Sequence, residues 1–287
     1  MSNLLTTQDF GVTKHGEKVT LYRIENTAGC YVEILNYNCI VKSIFVTDNK
    51  SKLQNVCLGY NTLAEYEADT RNIGAIVNIC PEKDANCKLT GTVWNTAETG
   101  ENFVLFNRLS PDGQELSVRY MWVDYNRLVI DVNAKSNENT PASLTSNIHF
   151  NLDGEKTLAG CNFRVFADKV AETSNGQYTG KLLAAAEAGF DGESFRNIEA
   201  EGYTGILVSE GEKIRPFMEL NSLTCGISLT SYGTAPALHV NLTHEPGTAV
   251  LQHQLAIFAG KAEPSSAEAQ DCKELKQRIV YGLDKIY

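Results

Sequence analysis

Apolar and polar positions alternate with a two-residue period along most of this chain. Val19 to Ile24, Tyr31 to Leu35 and Cys39 to Val46 are rich in β-branched and aromatic residues, and Thr27-Ala28-Gly29 and Asn36-Tyr37-Asn38 supply turns between them. That pattern predicts an antiparallel meander. Phe103 to Leu109, Glu115 to Asp124 and Leu128 to Ala134 alternate in the same way, as do Cys161 to Ala167, Gly205 to Val208, Gly226 to Tyr232, Ala237 to Leu242 and Ala249 to Phe258. Asn72 to Cys80 reads as a strand, Lys88 to Thr96 as a hairpin around Gly91, and Glu172 to Gly180 as a loop turning at Asn175-Gly176. One helix is well signalled, over Thr62 to Asp69, where Thr62 and Glu65 form a capping box. Leu182 to Ala188 is Ala-rich and reads as helix or extended chain. Many short strands with few helices predict an all-β fold, a large antiparallel β-sandwich. No linker or repeat divides the 287 residues, so 1–287 reads as one domain.

The stretch Pro141 to Leu152, P-A-S-L-T-S-N-I-H-F-N-L, has two unlike faces at strand period. Leu144, Ser146, Ile148, Phe150 and Leu152 should lie on a core. Thr145, Asn147, His149 and Asn151 share the other face, a row of hydrogen-bonding groups suited to a polyhydroxylated ligand.

Composition narrows the ligand. Formal net charge is −10, from 35 acidic and 25 basic residues, with no Lys/Arg cluster. Nucleic acid and anionic membrane surfaces are therefore excluded as expected partners, and a small neutral molecule is favoured over a sugar phosphate. No apolar run is long enough to span a bilayer. Eight cysteines sit mostly in apolar segments, without a C-x-x-C pair or a secretory leader, and read as reduced core thiols of a cytoplasmic protein. No Gly-rich phosphate loop precedes a helix, and no cofactor or metal is expected. His239 and His244 are five apart and face opposite ways on one strand. Trp94 and Trp122 read as core residues, and Asp191 as a structural loop residue.

The central stretch resembles the motif of the aldose 1-epimerase (galactose mutarotase) family, P-x-N-L-T-N-H-x-Y-F-N-L, with Leu144, Thr145, Phe150, Asn151 and Leu152 matching. Gly16 to Tyr37 is similar to the family's opening pattern as well. The resemblance implies a β-sandwich that opens and recloses a hexose ring, using a glutamate base and a histidine acid on the sugar. Carried over residue by residue, that chemistry is altered. The acid falls on Asn147, which cannot transfer a proton near neutral pH, and the tyrosine two places on is His149. A second family histidine falls on Leu105, the aspartate of G-Y-D on Thr204, and the arginine of G-R-x-A-N-R-I has no counterpart in Gly74 to Pro81. The glutamate falls at about Gly260, with Glu263 three residues on.

Two readings stand open. One is a ligand-binding or regulatory protein for a monosaccharide, using Thr145, Asn147, Asn151, Thr204 and Leu105 to line the cleft. The other is a divergent isomerase with relocated catalytic groups, His149 and Glu263.

Overall fold

The structure, a computed structural model, describes residues 4–78, 89, 91–111, 113–135, 144–174, 177–209, 211, 213–244, 246–254 and 274–286. The first strands are β1 (Leu4–Val12), β2 (Lys18–Glu25), β3 (Tyr31–Leu35), β4 (Val41–Thr47) and β5 (Leu53–Asn55), followed by helix α1 (Leu63–Ala68). Next come β6 (Ile76–Asn78), β7 (Asn95–Thr99), β8 (Phe103–Leu109), β9 (Glu115–Val123) and β10 (Arg127–Lys135). The central stretch yields β11 (Leu144–Ser146) and β12 (His149–Phe150). The second half contains β13 (Cys161–Val165), β14 (Lys169–Ser174), β15 (Gln177–Ala184), β16 (Arg196–Asn197) and β17 (Tyr203–Val208). It continues through β18 (Arg215–Ser222), β19 (Ile227–Gly233), β20 (Ala237–Thr243), β21 (Thr248–Gln254) and β22 (Glu274–Lys285).

β1 to β5 form a sequential meander. A nine-stranded sheet runs β16-β13-β18-β19-β22-β10-β9-β8-β7, and a six-stranded sheet runs β12-β21-β20-β17-β14-β15. Every recorded strand pairing is antiparallel, as the alternation predicts. Tyr120, Trp122, Ile130, Ile279 and Tyr281 from the nine-stranded sheet share one core with Phe150, Val240, Leu242 and Leu251 from the six-stranded sheet. Phe150 and Tyr281 meet edge to face across it, with ring centroids 4.9 Å apart. A smaller core under α1 gathers Val19, Leu21, Leu35, Tyr37, Leu63 and Tyr66. Trp94 and Trp122 are both buried, and the Trp122 indole donates to Cys30 O at 3.0 Å. Cys30, Cys39, Cys57, Cys161 and Cys225 are free and buried. Asp191 accepts the Glu193 and Ser194 amides and so shapes its own loop. Among the described residues no helix is long and apolar enough to cross a membrane.

The helix forms as its sequence predicts. Thr62 Oγ1 accepts the Glu65 amide at 3.3 Å, and the Glu65 carboxylate accepts the Thr62 amide at 2.9 Å.

Three local expectations are corrected and a fourth, left open between two readings, is resolved. Among the described residues of Lys88 to Thr96, Gly91 sits in a bend and the strand beginning at Asn95 pairs with β8 and not with the residues just before it; Lys88 and Thr90 lie outside the described residues. Where a loop was expected, Glu172 to Ser174 and Gln177 to Gly180 lie in two paired strands, β14 and β15, with Thr173 opposite Tyr178 and Ser174 opposite Gln177; Asn175 and Gly176 lie outside the described residues. Of the two readings of Leu182 to Ala188, the extended one holds as far as Ala184, where β15 ends, and a tight turn then returns to Phe190. The strand over Asn72 to Cys80 begins only at Ile76, after a turn with Asn72 and Gly74 at positive φ. β22 lies mid-sheet between β19 and β10 although its outward positions are charged, since Arg278 is neutralised there by Asp131 at 2.6 and 2.7 Å.

Candidate functional site

Register, more than sequence proximity, assembles the candidate site. His149 pairs with Val250, Val250 with Asn241, and Asn241 with Thr204, giving one transverse row over four strands of the six-stranded sheet. Cross-strand partners share a face, and here it is the outward one, because Phe150, Leu251, Leu242 and Tyr203 take the core side. His149 and Asn241 are half-buried and Thr204 is exposed. Asn241 Oδ1 accepts hydrogen bonds from Thr243 Oγ1 at 3.1 Å and Thr204 Oγ1 at 3.5 Å. The next row on this face pairs Gln252 with His239 and His239 with Ile206.

The central stretch is not one continuous strand, and this changes which of its residues can meet a ligand. β11 pairs with β6, whereas β12 pairs with β21. Between them Asn147 bonds through its own backbone to Ala75 O and the Gly74 amide, both at 2.8 Å. The chain thus changes sheets. Leu144, Ser146, Ile148, Phe150 and Leu152 are all buried, as the alternation predicts. The opposite face divides. Thr145 is 0% exposed and Asn147 and Asn151 are 7% exposed, leaving His149 as the accessible group. Asn151 braces a turn, accepting the Gly154 amide and donating to Glu155 O.

Asn147 has no spare hydrogen-bonding hydrogen. Its amide nitrogen donates to Arg71 O at 2.8 Å and Asn72 O at 2.9 Å, while its Oδ1 accepts from Gln252 Nε2 at 2.9 Å. Leu105 is half-buried on the outward face of the nine-stranded sheet, registered between Glu98 and Arg119, in a different sheet from the His149 row. Glu263 lies outside the described residues.

Tyr60 just before α1 and Asp69 and Arg71 just after it complete the cluster. Arg71 Nη2 donates to Tyr60 Oη at 2.8 Å, Tyr60 Oη donates to Asp69 Oδ1 at 3.1 Å, and Arg71 Nε stands 3.6 Å from the same oxygen. Burial alone would raise the Asp69 carboxyl. Amide hydrogen bonds from Ile73 and Arg71, with the Tyr60 hydroxyl and Arg71 cation, bring it below its ordinary value. The carboxylate is therefore a fixed anion that holds Arg71, whose side chain remains 55% exposed. Burial lowers the His149 imidazole, Arg71 lowers it further, and Asp69 opposes them. The ring is neutral at pH 7 and can accept a proton as well as a hydrogen bond. His239 is also lowered by burial, opposed by its hydrogen bond to Gln252. A cavity of about 550 Å³ opens beside the same segment, lined in part by Tyr37, Asn38, Tyr66, Asp69, Thr70 and Asn72.

Tyr60, Asp69, Arg71, Gln252 and His239 were not signalled as a group by the sequence. His239 and Asn241 do alternate within L-H-V-N-L-T, the one local sign that they share a face. Arg71 stands three residues before Gly74, where the family motif would begin. Arranged together, these groups offer hydroxyl-binding donors and acceptors around two neutral imidazoles.

Comparison with known proteins agrees with the fold. A family model described as aldose 1-epimerase matches residues 20–266. Rat galactose mutarotase is 26% identical over 155 residues, covering 43% of this chain and 45% of that protein, so the match spans under half of that relative's length. The aldose 1-epimerase of Escherichia coli K12 is 22% identical over 272 residues, 78% of either chain. Among solved structures, an aldose epimerase homologue from C. elegans superposes with a TM-score of 0.77 at 20% identity, over 93% of this chain and 99% of that one. Galactose 1-epimerase from Lactobacillus acidophilus gives 0.77 at 15% identity, over 100% of both. A likeness at these identities carries the fold, and the model match over most of the chain carries the lineage: this chain belongs to the aldose 1-epimerase family.

Proposed function

We propose that the chain binds a small neutral sugar, a monosaccharide, along the His149, Asn241 and Thr204 row with Arg71 at one end, in a binding or regulatory role that does not use the family's acid/base pair. Asn147 carries this reading. It occupies the acid's position with an amide, and that amide's two N–H groups and its oxygen are already engaged by Arg71, Asn72 and Gln252. An amide so tied neither transfers a proton nor reaches a ligand. The half-buried polar row supports sugar binding, because hydroxyl groups need paired donors and acceptors held on rigid strands. The net charge of −10 fits a neutral ligand. Five buried free thiols fit the reducing cytoplasm.

A second reading, a divergent isomerase around His149, is favoured by the position of that imidazole beside Arg71 and Asp69.

Saturation-transfer NMR with glucose and galactose tests the binding reading. Transfer is expected with the wild type and weakened several-fold in Asn241→Ala and Thr204→Ala. If neither hexose receives transfer, or both variants bind as the wild type does, the assignment of this face fails.

A further inference from the structure

One transverse row on the outward face of the nine-stranded sheet is apolar from end to end. Pro216 registers with Tyr232, Tyr232 with Val280, Val280 with Val129, Val129 with Met121, and Met121 with Phe103. Cross-strand partners share a face, and this one is turned away from the core, because Tyr120, Trp122, Ile130, Ile279 and Tyr281 take the other side. Pro216 is exposed and the other five are half-buried, so six strands in succession show apolar side chains to the outside. A contiguous apolar patch rimmed by polar groups marks an interaction surface. The row lies across the shared core from His149, Asn241 and Thr204.

The rim points to what covers it. The seam between β10 and β22 bisects the row, and opposite charges are matched across that seam. Arg278 forks onto Asp131 at 2.6 and 2.7 Å, Arg127 forks onto Asp284 at 2.9 Å through both terminal nitrogens, and Glu274 registers opposite Lys135. Outward positions carry one acid and one base on β9, one acid and two bases on β10, and two of each on β22. The patch is therefore close to neutral on a chain of net charge −10, and a second copy meets no repulsion there.

We propose that a second copy of this chain covers the face, related to the first by a two-fold axis along the β10/β22 seam. That axis sets β22 of one copy against β10 of the other, row on row. Val280 then faces Val129 of the second copy, Tyr232 faces its Met121 and Pro216 faces its Phe103. Arg278 faces Asp131 and Glu274 faces Lys135, so opposite charges meet again between copies. Other axes fail. One along β10 would lay Asp131 on Asp131, and one across the strands would lay Arg278 over Gly282, where the Arg127 guanidinium already rests. The seam axis keeps the strands of the two copies nearly aligned, a common packing of two sheets. Six strands about 4.8 Å apart, followed from Glu274 to Asp284 at about 3.4 Å per residue, give roughly 800 Å² per copy, the area one partner contributes to a standard interface. The two forked pairs enter the interface already hydrogen-bonded, so their charges are not buried unpaired.

Sedimentation velocity of the full chain across the micromolar range tests this. The wild type is expected at twice the chain mass. Val129→Arg puts a cation into the middle of the apolar row and should weaken self-association by about 100-fold or more. Asp131→Arg and Arg278→Asp should each be monomeric alone, because residue 131 then faces a like charge at residue 278 of the second copy. Mixing those two variants, each with the circular dichroism of the wild type, should restore a dimer in which every arginine at these positions meets an aspartate. A wild type that stays monomeric throughout the range overturns the proposal and leaves the row to some other ligand. A dimer that survives Val129→Arg overturns the choice of face. Single charge variants that remain dimeric, or a mixture that remains monomeric, overturn the axis.

Discussion

Gln252 donates from Nε2 to Asn147 Oδ1 at 2.9 Å, tying Asn147 to the strand next to His239. Asn147 is thus a strut. It bridges the segment after α1 to the outward face of the six-stranded sheet and spends its whole amide on doing so.

A histidine at residue 147 should therefore cost more than it returns. Asn147→His cannot donate to two backbone carbonyls and also accept from Gln252, so Arg71 O and Asn72 O lose their partner. Expected destabilisation is about 2 to 4 kcal/mol, read from urea unfolding, because each buried group left unsatisfied costs about 1 to 3 kcal/mol. Mutarotation should not increase above the wild-type rate. A large gain would show that a complementary base already faces residue 147.

Arg71 sets the charge state of His149. In Arg71→Met the cation is gone while Asp69 keeps its pull in the opposite direction, so the imidazole should titrate at higher pH than in the wild type. NMR titration of the His149 ring protons measures this directly. An unmoved or lowered midpoint would mean that Arg71 does not act on that ring.

Gly74 locks the turn that meets Asn147. Its φ is +75°, and an added Cβ would collide with the Val41 carbonyl oxygen. Its amide also donates to Asn147 O at 2.8 Å. Gly74→Ala should lower stability by about 1 to 3 kcal/mol through backbone strain, before any cost of the displaced Val41 backbone. Chemical denaturation checks it, and Gly29→Ala is a control: its φ is similarly positive, but nothing crowds the added Cβ. Equal losses in the two variants would remove the Val41 collision from the account.

Much of this architecture was legible because it is local. Two-residue alternation marks β2, β3, β8, β9 and β10, and the Thr62 and Glu65 capping box marks α1. β22 was not legible, since its outward side bears Lys276, Arg278 and Asp284 and only register with β10 shows those charges to be accommodated. His149 stood out as an imidazole on a polar face. The break at Asn147 did not, because a chain that passes from one sheet to another keeps its alternation while changing partners. Arg71, Gln252 and His239 converge from a post-helix segment and two strands more than 150 residues away. That convergence is a property of register, and no single window of sequence carries it.

His253 gives the fold a pH dependence separate from the candidate site. The ring is 0% exposed, bonded through Nε2 to Ser231 Oγ at 2.8 Å and packed against Phe217 and Tyr281. Burial, with a smaller contribution from Arg215, pushes its pKa down to about 3. An unfolded histidine titrates near 6.5. The folded protein therefore binds fewer protons between these values, and stability present above about pH 6.5 is lost as pH falls toward 3. A difference of that size corresponds to roughly 4 to 5 kcal/mol over the window, since each unit is worth about 1.4 kcal/mol. His253→Gln keeps a polar group near Ser231 without a titrating ring. Its stability at pH 7.5 should be reduced, but the slope of unfolding free energy against pH between 6.5 and 4 should flatten relative to the wild type. Parallel curves for the two proteins would mean that His253 is not the buried group whose protonation drives the loss.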